Sequence, residues 1–151
     1  WGSNLGGFAA LSAAAQDRRI RAVAVDSIYD APSDLFNQQM QRSALSSFPL
    51  APFFSRLGFR IFSFAYRKDP TLSTQVTKLQ GVPKLFVQAS DSPELSQATL
   101  AIFLKAPEPR EQLVVSKSRY ALMSDDERRT YENGIVRFFL VNLPPVVAAP
   151  H

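Results

Sequence analysis

Cysteine is absent from this sequence of 151 residues. A disulfide framework, a thiolate metal site and a cysteine nucleophile are all excluded within it. Histidine is almost absent: the single one, His151, is the last residue, in an Ala/Val/Pro tail where order is least expected. That placement excludes a structured histidine metal site and an internal histidine general base, and no metal or other cofactor is expected. No stretch approaches the ~20 apolar residues that span a bilayer. The start shows no charged segment followed by an apolar core, so no targeting signal is visible and the reading favours the cytoplasm. Although the net charge is +4 and the pI about 9.7, Lys and Arg are spread along the chain. A mildly basic solvated surface follows, not a basic stretch interleaved with aromatics, so nucleic acid is not an expected partner. The first residue is Trp1 rather than Met, and the expectation is that these residues belong to a longer reading frame.

What is present suits one globular domain: 46% of residues are hydrophobic and 20% charged, enough apolar material for a core. Trp1–Gly7 is a tight glycine-rich opening. Phe8–Gln16 is alanine-rich without Pro or Gly, which predicts a helix, closed by Asp17-Arg18-Arg19. Residues 21–26, ending in Asp26-Ser27, are short, apolar and partly β-branched, the pattern of a strand buried on both faces. Gly81-Val82-Pro83 punctuates the way into a second strand at Lys84–Gln88. A helix is predicted from about Leu95 to Lys105, stopped by Pro107 and Pro109, and a third strand at Gln112–Val115. The clearest helix begins at Ser124, where Ser124 and Glu127 fit a capping box with Asp125 and Asp126 in the first turn. Tyr131, Ile135, Phe138 and Phe139 follow with i, i+4, i+7, i+8 spacing, and Pro144-Pro145 ends it. Strands alternating with helices predict a parallel sheet with right-handed crossovers.

Gly2-Ser3-Asn4-Leu5-Gly6-Gly7 resembles the nucleophile elbow G-x-S-x-G of the α/β-hydrolase superfamily, often followed by a second glycine. Val23–Ser27 resembles the next strand of that fold. Val82–Ala89 resembles the strand leading to the triad's acid, and Leu113–Tyr120 the strand and loop that deliver its histidine. The resemblance covers about residues 1–143. It implies an α/β class: the C-terminal half of an α/β-hydrolase fold, opening at the elbow, with parallel strands, flanking helices and a helical cap insertion. The core would be 1–31 and 68–143, the cap or lid 32–67, and the loose tail 144–151. The cap's aromatic residues read as packing against the core. A membrane-surface lid, with arginines at the headgroups, is the alternative.

The resemblance also assigns the site. Asn4 stands at the nucleophile position, Ser92 at the acid position and Tyr120 at the histidine position, with Gly2, Leu5, Gly6 and Gly7 as the elbow and oxyanion residues. In an intact triad Ser attacks, His takes its proton and Asp holds the imidazole. An Asn carboxamide is not a useful nucleophile. A phenol of ordinary pKa about 10 is a poor base at neutral pH. Ser92 carries no charge to stabilise an imidazolium, and Asp91, its neighbour, is expected to face elsewhere. The expectation is therefore a catalytically inactive, hydrolase-like protein that binds or scaffolds, with a small acyl or peptide-like molecule as the ligand. Two alternatives stand beside it. One is an active ester or peptide hydrolase using Ser3 (or, less favoured, Ser27) with a histidine from an N-terminal half. The other is a gene fragment without function. The sequence gives no oligomeric state.

Overall fold

The computed structural model describes residues 1–31, 34 and 70–144. In chain order the described elements are β1 (Gly2–Ser3), α1 (Leu5–Gln16), β2 (Val23–Asp26), α2 (Leu72–Gln75) running into a 3-10 turn (Val76–Lys78), β3 (Lys84–Ala89), α3 (Pro93–Lys105), β4 (Arg110–Val115), a 3-10 turn (Tyr120–Leu122) and α4 (Asp125–Asn142). The predicted cap at 32–67 lies outside the described residues except for Asp34, and the predicted tail lies outside them beyond Pro144. No helix among the described residues is long and apolar enough to cross a membrane.

The strands form one parallel sheet in the order β1-β2-β3-β4, so each strand lies beside the next in sequence. The sequence predicts three strands; the fourth is Gly2–Ser3, read there as part of a turn. Two residues of Gly and Ser carry no strand signal of their own. They become a strand because Gly2 and Ser3 register with Val25 and Asp26 of β2. Strand β4 starts two residues before its predicted beginning, because Arg110 and Glu111 pair with Lys84 and Leu85.

Side chains alternate across the sheet and divide the core in two. Val23, Val25 and Phe86 pack with Phe8, Leu11, Leu72, Val76, Leu79 and Ile102 on the face covered by α1, α2 and α3. Ala22, Ala24, Leu85, Val87 and Ala89 pack with Val115, Met123, Tyr131 and Phe138 on the face covered by α4. Each fully buried Leu, Ile or Phe stabilises by about 1.5–3 kcal/mol. This packing holds α2, which the sequence reading leaves unassigned. Its Thr/Ser/Gln composition has weak helix propensity, but Leu72, Val76 and Leu79 are fully buried. The amides of Leu72 and Ser73 donate to the carbonyl and carboxylate of Asp30 at 3.0 and 2.6 Å.

Helix α3 begins two residues before the predicted Leu95, at Pro93, a position where the missing N–H costs nothing. The capping box of α4 is formed as predicted. The Glu127 amide donates to Ser124 Oγ at 3.3 Å, and the Ser124 amide donates to Glu127 Oε2 at 2.7 Å. At the N-terminal end of the sheet, Lys84 is wholly buried. Its Nζ donates to the carbonyls of Leu79, at 2.6 Å, and Val82. Burial pushes its pKa down to about 8; the Glu108 carboxylate opposes that shift and Arg110 adds to it.

Candidate functional site

Parallel strands end together, and ligands of open α/β sheets bind in the crevice beyond those carboxyl ends. Here Ser3 registers with Asp26, Asp26 with Val87, and Val87 with Leu113. The segments that follow the four strands therefore form one rim: Asn4, Ser27-Ile28, Ser90–Ser92 and Ser116–Tyr120.

Asn4 connects β1 to α1 with φ 51° and ψ −117°, outside the allowed regions for a side chain with a Cβ. Such a residue stores about 1–3 kcal/mol of strain. The turn is held because the Asn4 amide donates to the Asp26 carbonyl at 2.9 Å and the Phe8 amide donates to the Asn4 carbonyl at 3.1 Å. Two glycines permit it. A Cβ on Gly2 would lie 2.2 Å from the Gly6 carbonyl oxygen, and one on Gly7 would lie 2.5 Å from Ile28 Cγ2. Gly6, the motif's second glycine, has open space around it, so the positions that exclude a Cβ are Gly2 and Gly7. The Asn4 side chain is exposed and does not cap α1. Ser3 is half-buried within β1, one residue before the strained turn, and Leu5 is the exposed first residue of α1.

Ser92 directly precedes α3. Its hydroxyl is buried without a hydrogen-bond partner, as is Nε2 of Gln88 on β3. Asp91 is exposed and accepts from the Ser118 amide at 2.8 Å, which joins the segments after β3 and β4. Tyr120 is 46% exposed. Its hydroxyl donates to Glu132 on α4, and the Arg128 guanidinium lies 5.4 Å from its ring centre. The hydrogen bond to Glu132 is the main cause that raises the Tyr120 pKa, so its phenolate is scarcer than that of a free tyrosine.

Beneath these residues lies a buried group whose role the sequence reading did not identify. Asp26 ends β2 on the α4 face, 7% exposed. Its Oδ1 accepts from Ser27 Oγ at 2.7 Å and its Oδ2 from the Tyr131 hydroxyl at 3.0 Å. Burial raises the Asp26 pKa, against the pull of these two hydrogen bonds. Burial, with the Asp26 carboxylate next, drives the Tyr131 pKa up. Ser27, buried and at φ 54°, is a second strained residue on the rim. Its burial and its bond to Asp26 leave it poorly placed as a nucleophile. Thr99 of α3 secures the following residue: its Oγ1 accepts from the Ile28 amide and donates to the Ile28 carbonyl, both at 3.1 Å. The available signals were an Asp-Ser pair ending an apolar strand and a Tyr in the core stripe of α4.

Among the described residues no group of three or more His, Cys, Asp and Glu is placed to hold a metal ion. Among the described residues the rim offers a strained carboxamide, hydroxyls, main-chain groups and the charged side chains of Asp91, Lys117 and Arg119. Two of its hydroxyls, Ser27 and Ser116, donate to the carboxylates of Asp26 and Glu127.

No protein-family model matches the sequence, and no curated protein matches it. Solved structures do. The α/β hydrolase GrgF from Penicillium sp. sh18 matches with a TM-score of 0.66 at 16% identity, over 95% of this chain and 63% of that one. DcsB, solved in complex with its substrate analogue, matches with a TM-score of 0.62 at 17% identity, over 95% and 64%. The esterase domain of a Rhodothermus marinus protein matches with a TM-score of 0.58 at 18% identity, over 93% and 57%. At such identities the likeness is one of fold. The chain has an α/β-hydrolase fold in part, as its sequence predicts, and spans 57–64% of the length of these three structures.

Proposed function

We propose that this chain forms the C-terminal part of an α/β-hydrolase-fold protein that binds a small acyl or peptide-like ligand at the carboxyl rim of its sheet without acyl-transfer chemistry. The observation that carries this reading is the strained turn between β1 and α1, whose tip is a carboxamide, Asn4. An α/β hydrolase uses this kind of sharp strand-to-helix turn to present its nucleophile. Asn4 has the strain and lacks the nucleophile. Ser3 has a hydroxyl but lies in β1, off the strained position. Two further features support the reading. Ser92, at the acid position, is neutral, and Tyr120, at the histidine position, donates its hydroxyl to Glu132.

The test is turnover of a short-chain p-nitrophenyl ester by the full-length protein, by Ser3→Ala and by Asn4→Ser. No turnover above background is expected in any of the three, because Asn4→Ser restores a hydroxyl beside which the described residues place no histidine base. Turnover that Ser3→Ala abolishes would overturn the proposal and make the protein a working serine hydrolase.

A further inference from the structure

We propose that Asp26 and Tyr131 form a buried brace through which the Asn4 turn and the Tyr120 turn, on opposite sides of the rim, respond together. The inference rests on the reading of that rim as the binding site and concerns its regulation. The connection is continuous. The Asn4 amide donates to the Asp26 carbonyl at 2.9 Å. The Asp26 carboxylate accepts from the Tyr131 hydroxyl at 3.0 Å, between groups 105 residues apart in sequence. The Tyr131 ring meets the Tyr120 ring edge-on at 5.9 Å between centres, and Tyr120 donates to Glu132. Both ends of this path carry residues singled out for function, and its middle is buried.

Among the described residues the groups that face the path are few. Asp26 feels Ser27 beside it and Tyr131 from α4. Tyr131 feels Asp26, Trp1 just before β1, and Tyr120. Tyr120 feels Glu132, Arg128 and Asp125 from α4. Burial holds the Asp26 pKa above its ordinary value, so proton uptake there begins before that of an exposed aspartate as pH falls. A neutral Asp26 has a proton to donate and one less acceptor site. A proton on Oδ2, the oxygen that accepts from Tyr131, makes that bond rearrange, and both turns rest on groups that this bond joins. A ligand that shifts Asn4 or Tyr120 would bias the same bond from the other side.

The experiment needs no ligand, so its failure is distinguishable from failure of the binding reading. In the labelled full-length protein, the Asp26 side-chain carboxyl carbon, the Asn4 amide and the Tyr120 ring are followed by NMR from pH 3 to 8. All three should share one midpoint above the ordinary aspartate value of about 3.9. E132Q removes the carboxylate to which Tyr120 donates and should leave that shared midpoint in Tyr120. Y131F keeps the ring and removes the hydroxyl. It should abolish the shared step in Tyr120 while the Asn4 amide still follows Asp26. D26N should abolish it in both, and if D26N does not fold, Y131F alone decides. A Tyr120 response that survives Y131F, or Asn4 and Tyr120 steps at unrelated midpoints, would overturn the brace.

Discussion

The sheet buries one ionisable side chain at each end, and the two ends satisfy them differently. At the foot, Lys84 is held by main-chain carbonyls of the turn before it, Leu79 and Val82. The left-handed residue of that turn is a glycine, Gly81 at φ 75°. At the rim, Asp26 depends on two side-chain hydroxyls, from Ser27 and Tyr131. The left-handed residues there are Asn4 and Ser27, and the Ser92 hydroxyl is buried without a partner. Turn chemistry is thus relaxed at the foot and strained at the rim. Strain gathers where a fold works on other molecules, so the rim reads as the working end.

Three substitutions would break or sharpen this contrast. The largest effect is expected at the rim, from Gly2→Ala. Its Cβ would meet the Gly6 carbonyl oxygen at 2.2 Å, and backbone cannot yield as a side chain can. A loss of about 3 kcal/mol or more is expected in urea unfolding; a loss below about 1 kcal/mol would mean that β1 detaches easily and the turn is not held as described. At the foot, Lys84→Met tests the buried amine through pH. The folded-state pKa of Lys84, about 8, lies below its ordinary value of 10.5. Between those two values the unfolded chain holds a proton that the folded chain has released. Stability therefore climbs with pH across that window, by up to about 3 kcal/mol. The climb is complete above the ordinary value and disappears as pH falls through about 8. Lys84→Met should remove this climb, read as the difference between parent and variant at pH 7 and pH 10. An unchanged difference would show that Lys84 stays charged in the fold. The smallest effect belongs to Thr99→Val, which leaves the amide and carbonyl of Ile28 without the partner they share. About 1–2 kcal/mol should be lost, with Thr99→Ser recovering most of it.

The sequence made some of this legible and hid the rest for physical reasons. Strands β2 and β3 stand out because buried parallel strands read as short apolar runs, and β3 is announced by Gly81-Val82-Pro83. Helix α4 declares its start through Ser124 and Glu127. Strand β1 and helix α2 carry no such signal, since register with β2 makes the first and burial of Leu72 and Val76 makes the second. At the site, the glycine spacing points to the Asn4 turn. It does not show that a Cβ would be excluded at Gly2 and Gly7 while Gly6 has open space around it. The bond from Tyr131 to Asp26 joins residues too far apart in sequence for any local pattern to connect. Tyr131 was legible as core from its helical spacing, and only the fold gives its hydroxyl a partner.

The most direct test of the central claim, binding at the rim without a nucleophile, is the intact mass of the full-length protein after exposure to a fluorophosphonate that labels activated serines. The account predicts no adduct. A stoichiometric adduct that maps to Ser3 or Ser27 would contradict it, because it would show a working nucleophile on the rim.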